Sequence, residues 1–379
     1  MELLINSSFL LIYDIIPLGD VIMIEHVKSI LIMVLVSFLI VVCAIPIIKM
    51  IAKHVGAIDV PRHDDENRHI HKVPIPKLGG LGVYFGFLVS YMIFGTPSLT
   101  MNSILIGSFI IIITGFIDDI KPLSALAKFT GQVIAALIIV FYGHLLISEI
   151  SAFGITLRFG VLAYPLTLFF ILGSVNCINL IDGLDGLSSG ISSIYFLTIG
   201  IIAVMQNKFG LDCTLAFILL GSTLGFLLYN FNPASMFIGD TGSMFLGFMI
   251  AVIALLGFKN VTMTSLLIPL LLIAIPILDT LFAIIRRKLK GQSISHADKL
   301  HIHHQLLSRN LSQRTTVLVI YLIDALFAFA SIVYFLHDRV LGYIVYGALI
   351  IIVLIFVLKT NVVFDHSILD DIKKSTKKK

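Results

Sequence analysis

Charge is what this chain has least of. Only 13% of its 379 residues are Asp, Glu, Lys or Arg, while 58% are hydrophobic; an ordinary soluble domain is about one quarter charged. That excludes a soluble globular protein and leaves an all-α, polytopic integral membrane protein. Cysteine is scarce as well. Cys43, Cys177 and Cys213 are odd in number, lie in or beside apolar runs and lack metal-like spacing, which excludes a disulfide framework and a cysteine zinc site. No Walker GxxxxGK[ST] and no kinase glycine loop occurs, so ATP is not the expected phosphate donor. The first 25 residues are apolar but broken by Asp14, Pro17 and Asp20 and have no basic leader. A cleaved signal peptide is therefore not expected; residues 1–28 read as an interfacial or loosely held segment.

What the chain does have is long apolar runs. A spanning helix needs about 20 mostly apolar residues. Runs of that kind fall near 29–49, 78–95, 102–117, 125–146, 161–178, 187–205, 212–229, 243–258, 264–285, 315–336 and 341–358, which predicts about eleven transmembrane helices. The membrane domain then covers 29–359, followed by a basic tail over 360–379. If alternate loops share a side, Lys28, Arg158, Lys208, Lys259 and Arg339 lie on one face, and all the other lysines and arginines lie on the opposite one. The positive-inside rule makes the rich face cytoplasmic, with the N-terminus outside and the C-terminus, including "KKSTKKK", in the cytoplasm.

Every polar cluster of note falls on that cytoplasmic face. Asp118 and Asp119 end a stretch, Gly79 to Ile117, of 39 residues without a formal charge. Neighbouring carboxylates repel and are costly in low dielectric, so something positive must meet them. Lys121 is the nearest candidate in sequence. Solvated acids at a helix exit are the bland reading; two groups facing a divalent cation or an anionic nucleophile are the functional one. Lys121 and Pro122 stand where a DDxxD helix would carry its next Asp, which counts against prenyl transfer.

"NCINLIDGLDGLSSG" spaces Asn176, Asn179, Asp182 and Asp185 at steps of three. Gly183 and Gly186 favour a turn or broken helix, so oxygen-bearing side chains converge at a helix start. A plain Asx-rich cap is the alternative. Leu184-Asp185 replaces the Ala-Arg pair that a CDP-alcohol phosphotransferase needs. In "FIGDTGS", Asp240 alone would read as an N-cap, but Mg2+ takes oxygen ligands and the other acids lie on the same face. Phe237 is core or a stacking surface for a base. "HADKLHIHHQLL" carries His296, His301, His303 and His304 without HExxH spacing. With Arg286, Arg287, Lys288 and Lys290 upstream, the segment suits a diphosphate better than zinc. Lys72 and Lys77 can add to it or simply be positive-inside lysines. Asp279 and Asp324 are intramembrane acids without an assigned task.

Carboxylates for Mg2+, cationic loops for a diphosphate and a site at the bilayer surface point to phosphoryl transfer between a nucleotide-activated donor and a lipid. "DDIKP", "NCINLIDGLDGL", "FIGDTGS" and "HIHHQLL", in this order, resemble the polyprenyl-phosphate N-acetylhexosamine-1-phosphate transferases (glycosyltransferase family 4) over about residues 30 to 336. The histidine segment resembles the branch that uses UDP-GlcNAc; Lys77 stands where the peptidoglycan branch has threonine.

The resemblance implies that undecaprenyl phosphate attacks the sugar-linked phosphorus of UDP-GlcNAc. The products are UMP and undecaprenyl-diphosphate-GlcNAc, the first membrane step of teichoic acid, O-antigen or a related polysaccharide. It also implies Mg2+, with Mn2+ as a substitute, held by Asp240 and Asn179. Asp185 and Phe237 would hold the uracil, and Asp182 and Lys72 would make further donor contacts. Asp118 and Asp119 would handle the lipid phosphate or the metal, and His301, His303 and His304 the diphosphate and sugar. The implied partners are the nucleotide sugar, polyprenyl phosphate and the bilayer of a bacterial inner membrane; no nucleic acid is expected, and a homodimer is compatible. A transporter of lipid-linked or nucleotide sugars is the rival reading, because eleven helices also suit a carrier.

Overall fold

The computed structural model describes residues 18–60, 73–152, 155–259, 267–289, 291, 301–336 and 339–358. Lys72, His296, Lys290, most of the N-terminal segment and the basic tail lie outside these residues.

The chain is built from helices: α1 (Leu18–His54), α2 (Gly79–Phe94), α3 (Leu99–Ile120), α4 (Ala125–Leu137, closing in a π-helical turn Ile138–Tyr142), α5 (Ala163–Ile181), α6 (Leu187–Met205), α7 (Leu211–Asn230), α8 (Gly239–Lys259), α9 (Leu267–Leu272), α10 (Ala274–Leu289), α11 (Ile302–Leu307), α12 (Gln313–Leu336) and α13 (Arg339–Leu358). A helix falls on each of the eleven apolar runs; the ninth run is broken into α9 and α10. Among the described residues, eight helical segments are long and apolar enough to cross a bilayer, while Gly79–Phe94 and Val340–Ile355 are shorter apolar helices. The chain is a multi-pass membrane protein. Two antiparallel hairpins complete it: β1 (Ile58–Asp59) with β2 (Ile75–Pro76), and β3 (Glu149–Ala152) with β4 (Ile155–Arg158). Neither hairpin was expected for an all-α chain, and α11 falls in a segment read only as a histidine cluster.

α8 is the axis of the bundle. Every side chain from Thr241 to Gly257 is buried, against α5, α3, α2, α6 and α7. Helices in lipid gain nothing from hydrophobic transfer between themselves, so small residues and hydrogen bonds bring them together. Gly247 meets the α5 backbone at Ser174 and Val175, and Ser174 Oγ donates to Gly247 O at 2.7 Å. Outer helices turn apolar side chains outward instead, as with Leu31 and Met50 on α1, Leu126 on α4 and Phe329 on α12. Such faces are stable where the solvent is hydrocarbon.

One end of this bundle collects the chemistry. The C-terminal ends of α3, α5 and α7 meet the N-terminal ends of α2, α4, α6, α8 and α12 there. The segment after β2 seals one wall: Phe237 N donates to Pro76 O at 2.8 Å, while Gly79 N and Gly80 N donate to Phe237 O and Ile238 O. Gly80 lies against the backbone of Gly242, and Gly115 against that of Thr241. A Cβ at either place would push α8 away.

Candidate active site

A cavity of about 310 Å³ opens at this end, lined by acids from four separate segments: Asp59, Asp118 and Asp119, Asp182 and Asp185, and Asp240. Lys128, in the first turn of α4, stands between two of them. Its Nζ lies 2.8 Å from Asp118 Oδ2 and also pairs with Asp240 Oδ2. Ser124 starts α4 by accepting the Ala127 amide, and that start sets Lys128 facing α8. Lys121, the cation expected from the sequence, is instead exposed. The positive partner of the acid pair is Lys128, reached across the α3–α4 turn. Asp118 also accepts the Leu123 amide on Oδ1 at 2.7 Å, so the turn itself fixes the carboxylate.

Asp119 does something different from its neighbour. It is buried, and it accepts the amides of Asp240 at 3.0 Å and Thr241 at 2.9 Å together with the Thr241 hydroxyl. These are orphan donors of the first turn of α8, so Asp119 caps that helix from another element. Gly239, with φ +69°, approaches the Asp119 carboxylate too closely for a side chain. Because Asp119 takes the capping role, Asp240 is free to face the cavity. Asn179 Nδ2 donates to Asp240 Oδ1 at 2.9 Å and to Ser243 Oγ at 2.9 Å, which orients Asp240 from the other side.

The Asp182–Gly186 turn breaks the helix between α5 and α6, as its glycines predicted; Gly186 has φ +81°. Asp182 Oδ1 accepts Ser188 Oγ at 2.6 Å. Burial raises the Asp182 carboxyl to about 7, aided by the charges of Asp240, Asp119 and Asp185, although the Ser188 bond opposes this. Asp185 Oδ2 accepts Asn232 Nδ2 at 2.9 Å and the Ala234 amide at 3.0 Å. Phe237 lines the same cavity.

Beside it the histidines form a buttress, with His301 and His303 buried and His304 half-buried. His301 Nδ1 donates to Asp279 Oδ2 at 2.8 Å, and Ile302 N donates to Asp279 Oδ1 at 2.7 Å. The His301 and His303 rings are nearly parallel, 5.7 Å apart, and His303 and His304 lie 4.3 Å apart. The His303 imidazole packs against Gly183 of the acid turn. Burial, with the charges of His304 and His301, lowers the His303 pKa to about 3, so it is neutral at physiological pH and adds no cationic charge toward a diphosphate.

A model of glycosyl transferase family 4 matches residues 101–258, the stretch that contains Asp118, Lys128, Asn179, Asp182, Asp185 and Asp240. Over 313 residues the chain is 45% identical to the probable undecaprenyl-phosphate N-acetylglucosaminyl 1-phosphate transferase of Bacillus subtilis (strain 168), covering 82% of this chain and 86% of that protein. The chain belongs to glycosyl transferase family 4. The family likeness extends to the decaprenyl-phosphate N-acetylglucosaminephosphotransferase of Mycobacterium leprae, 34% identical over 80% of this chain and 84% of that one. It reaches the phospho-N-acetylmuramoyl-pentapeptide-transferase of Bacillus anthracis, 32% identical over 65% and 79%. The resemblance read from the four motifs is thus borne out.

Within this family 4 chain, seven of the residues singled out from sequence share one cavity: Lys77, Asp118, Asp119, Asp182, Asp185, Phe237 and Asp240. Asn179 touches Asp240, and His303 packs on the cavity wall at Gly183. His301 and His304 neighbour the His303 ring, and Lys72 is outside the described residues. Asp59, Lys128, Asn230, Asn232 and Gln313 belong to the site but were missed. Lys128 had a signal, since it sits one turn past a Ser cap on the helix after the acid pair; by itself it looks like any positive-inside lysine.

The donor set fits a hard divalent cation. Asp118 and Asp240 are apposed closely enough for one ammonium to bridge them, and both offer oxygen. Among the described residues no three His, Cys, Asp or Glu side chains form a ready-made metal cage. An ion here would take its remaining ligands from water and phosphate oxygens, as Mg2+ does.

Proposed function

We propose that this chain transfers N-acetylglucosamine-1-phosphate from UDP-GlcNAc to undecaprenyl phosphate, releasing UMP and forming undecaprenyl-diphosphate-GlcNAc at the cytoplasmic face of a bacterial inner membrane. The observation that carries the reading is the Asp118–Lys128–Asp240 bridge inside a cavity at the end of a membrane bundle. That arrangement suits a metal-bound diphosphate, and it lies where a prenyl chain held by the bilayer would present its head group. The product is the first lipid-linked intermediate of an envelope polysaccharide. Eleven spans, with the N-terminus outside, put the cavity on the lysine-rich side.

Asp240 and Asp118, with the Asn179 amide, would hold Mg2+, for which Mn2+ can substitute. The ion, when bound, neutralises charge on the diphosphate and polarises its phosphoryl oxygens. Lys128 keeps the two acids apart and compensated before substrate arrives, and offers a cation to the transferring phosphoryl group once they turn to the metal. Asp119 keeps the α8 N-terminus pointed into the cavity, where its first-turn amides favour anions. Asp182 and Asp185 order the donor-side turn, Phe237 offers a ring for the base, and the histidine buttress holds that turn in place. The acceptor needs little help to become nucleophilic: a phosphate monoester has a second pKa of about 6 and is mostly dianionic at neutral pH. Asp118 therefore positions the acceptor and does not serve as its base.

Purified protein in detergent, given UDP-GlcNAc and polyprenyl phosphate, should release UMP only when Mg2+ is present. Detergent removes the barrier a carrier needs, so UMP release decides against transport. Asp240→Ala should abolish release at normal expression; near-normal turnover in that variant would refute its place at the metal.

A further inference from the structure

Gln313 opens α12 and lines the same cavity as Asp185. Nothing in the sequence marked it. Its meaning comes from a relay of hydrogen bonds whose directions fix one another. Asn232 Nδ2 donates at 2.9 Å to Asp185 Oδ2 and at 2.9 Å to Gln313 Oε1. A carboxylate only accepts, so Asn232 must turn its NH2 toward Asp185. That same NH2 carries a second hydrogen, which requires an acceptor, so Gln313 must present its oxygen to Asn232. The Gln313 NH2 group is therefore directed away from the relay, and among the described residues no acceptor takes it. Asp185 likewise spends Oδ2 on Asn232 and the Ala234 amide, and Oδ1 takes no donor from the described residues.

The cavity wall thus offers an acceptor, Asp185 Oδ1, beside a donor, Gln313 Nε2, with the Phe237 ring on the same lining. Asp118 and Asp240, bridged by Lys128, belong to the same lining, and the diphosphate and its ion would sit against them. Uracil presents an N3–H donor flanked by carbonyl acceptors, which matches this acceptor and donor pair. Cytosine presents a bare N3 and an N4 amino group. Both would face a like group here: lone pair against carboxylate, and N–H against N–H.

We infer that Gln313, oriented by Asn232 from Asp185, reads the O4 carbonyl of the donor base, the one that cytosine replaces with an amino group, and makes the site select uracil over cytosine. This rests on the proposed nucleotide-sugar reaction and assigns a specificity residue within it.

The test is inhibition of UDP-GlcNAc turnover by UMP and by CMP, using the full chain in detergent with Mg2+ and undecaprenyl phosphate. Wild type should bind UMP more tightly than CMP. Gln313→Ala should raise the UMP inhibition constant and the KM for UDP-GlcNAc about 3- to 10-fold, the worth of one neutral hydrogen bond, with kcat within about twofold. Gln313→Glu keeps the Asn232 bond but replaces the donor with an acceptor, so it should weaken UMP at least as much while leaving CMP less affected. In both variants the UMP to CMP preference narrows. General damage to α12 would weaken both nucleotides alike and leave the preference intact; an unchanged preference in both variants, or a loss confined to kcat, overturns the assignment. If wild type releases no UMP at all, the proposed reaction falls and this inference with it. If wild type turns over normally and both variants keep its UMP to CMP preference, the reaction stands and Gln313 alone is refuted.

Discussion

Asp118 binds Lys128 with one oxygen and the Leu123 amide with the other, which leaves it poorly placed to take a proton from an acceptor that carries almost none. Asp118→Asn should therefore lose turnover by a similar factor, about 10²-fold or more, at pH 5.5 and at pH 8. Retention of wild-type turnover at pH 8 with failure at pH 5.5 would show that a base is needed where the acceptor is partly protonated. His303 gives a second test with a defined sign. Its folded pKa, about 3, lies below the ordinary 6.5, so below pH 6.5 the unfolded chain binds a proton that the folded chain refuses. The associated stability is intact above about pH 6.5 and declines as pH falls toward 3, by at most about 1.4 kcal/mol per pH unit. Between pH 7 and pH 5 the thermal midpoint of wild type should drop more than that of His303→Gln; parallel drops would mean that the imidazole protonates in place. At this scale the residue types were legible, but their duties were not. Asp118 and Asp119 are adjacent and identical in letter, yet one faces the cavity and the other caps α8, because successive helical residues point about 100° apart.

Elements rather than residues decide whether the site exists at all. Gly115 allows α3 to lie against the backbone of Thr241 and Asp240 at the start of α8. The Cβ of Gly115→Ala has only backbone to displace, so the variant should shift the α8 N-terminus, costing about 1–3 kcal/mol and most of the activity. Gly173→Ala, with open space around it, should be near neutral in detergent melting and UMP release. Equal behaviour of the two alanines would show that α3 and α8 are not packed this closely. Asp279, an intramembrane acid without a task when read from sequence, proves to tie α10 to the histidine segment through His301 Nδ1 and Ile302 N. Asp279→Ala leaves both donors buried and unpaired, at about 1–3 kcal/mol each. Hydrogen exchange over 301–307 should rise and turnover should fall, whereas Asp279→Asn, which keeps an acceptor for Ile302, should restore most of the protection. Helix positions were readable because apolar runs and glycine breaks are local signals. The Lys128 bridge, the Asp119 cap and the Asp279 tie join residues 10, 122 and 22 positions apart, and no local pattern carries such pairings.

At the scale of the whole molecule, sidedness links the fold to its proposed substrates. A water-soluble nucleotide sugar and a lipid phosphate can meet only at a membrane surface, and the cavity lies at one end of the bundle, where the α3–α4 and α5–α6 turns and the start of α12 come together. The β3–β4 hairpin follows the far end of α4. The proposed cytoplasmic placement of the cavity end, read from lysine and arginine bias, has a direct test. In a chain whose Cys43, Cys177 and Cys213 are replaced by serine or alanine, Lys121→Cys reports the cavity end and Arg158→Cys the hairpin end; both native side chains are exposed. A membrane-impermeant maleimide added to intact cells should label Arg158→Cys and spare Lys121→Cys until the membrane is opened. The reverse pattern would put the cavity outside, beyond reach of cytoplasmic nucleotide sugars, and would end the proposed reaction even with every side chain placed as described. Labelling of both from one side would mean an even number of crossings between them, whereas α4 as a single span requires an odd one.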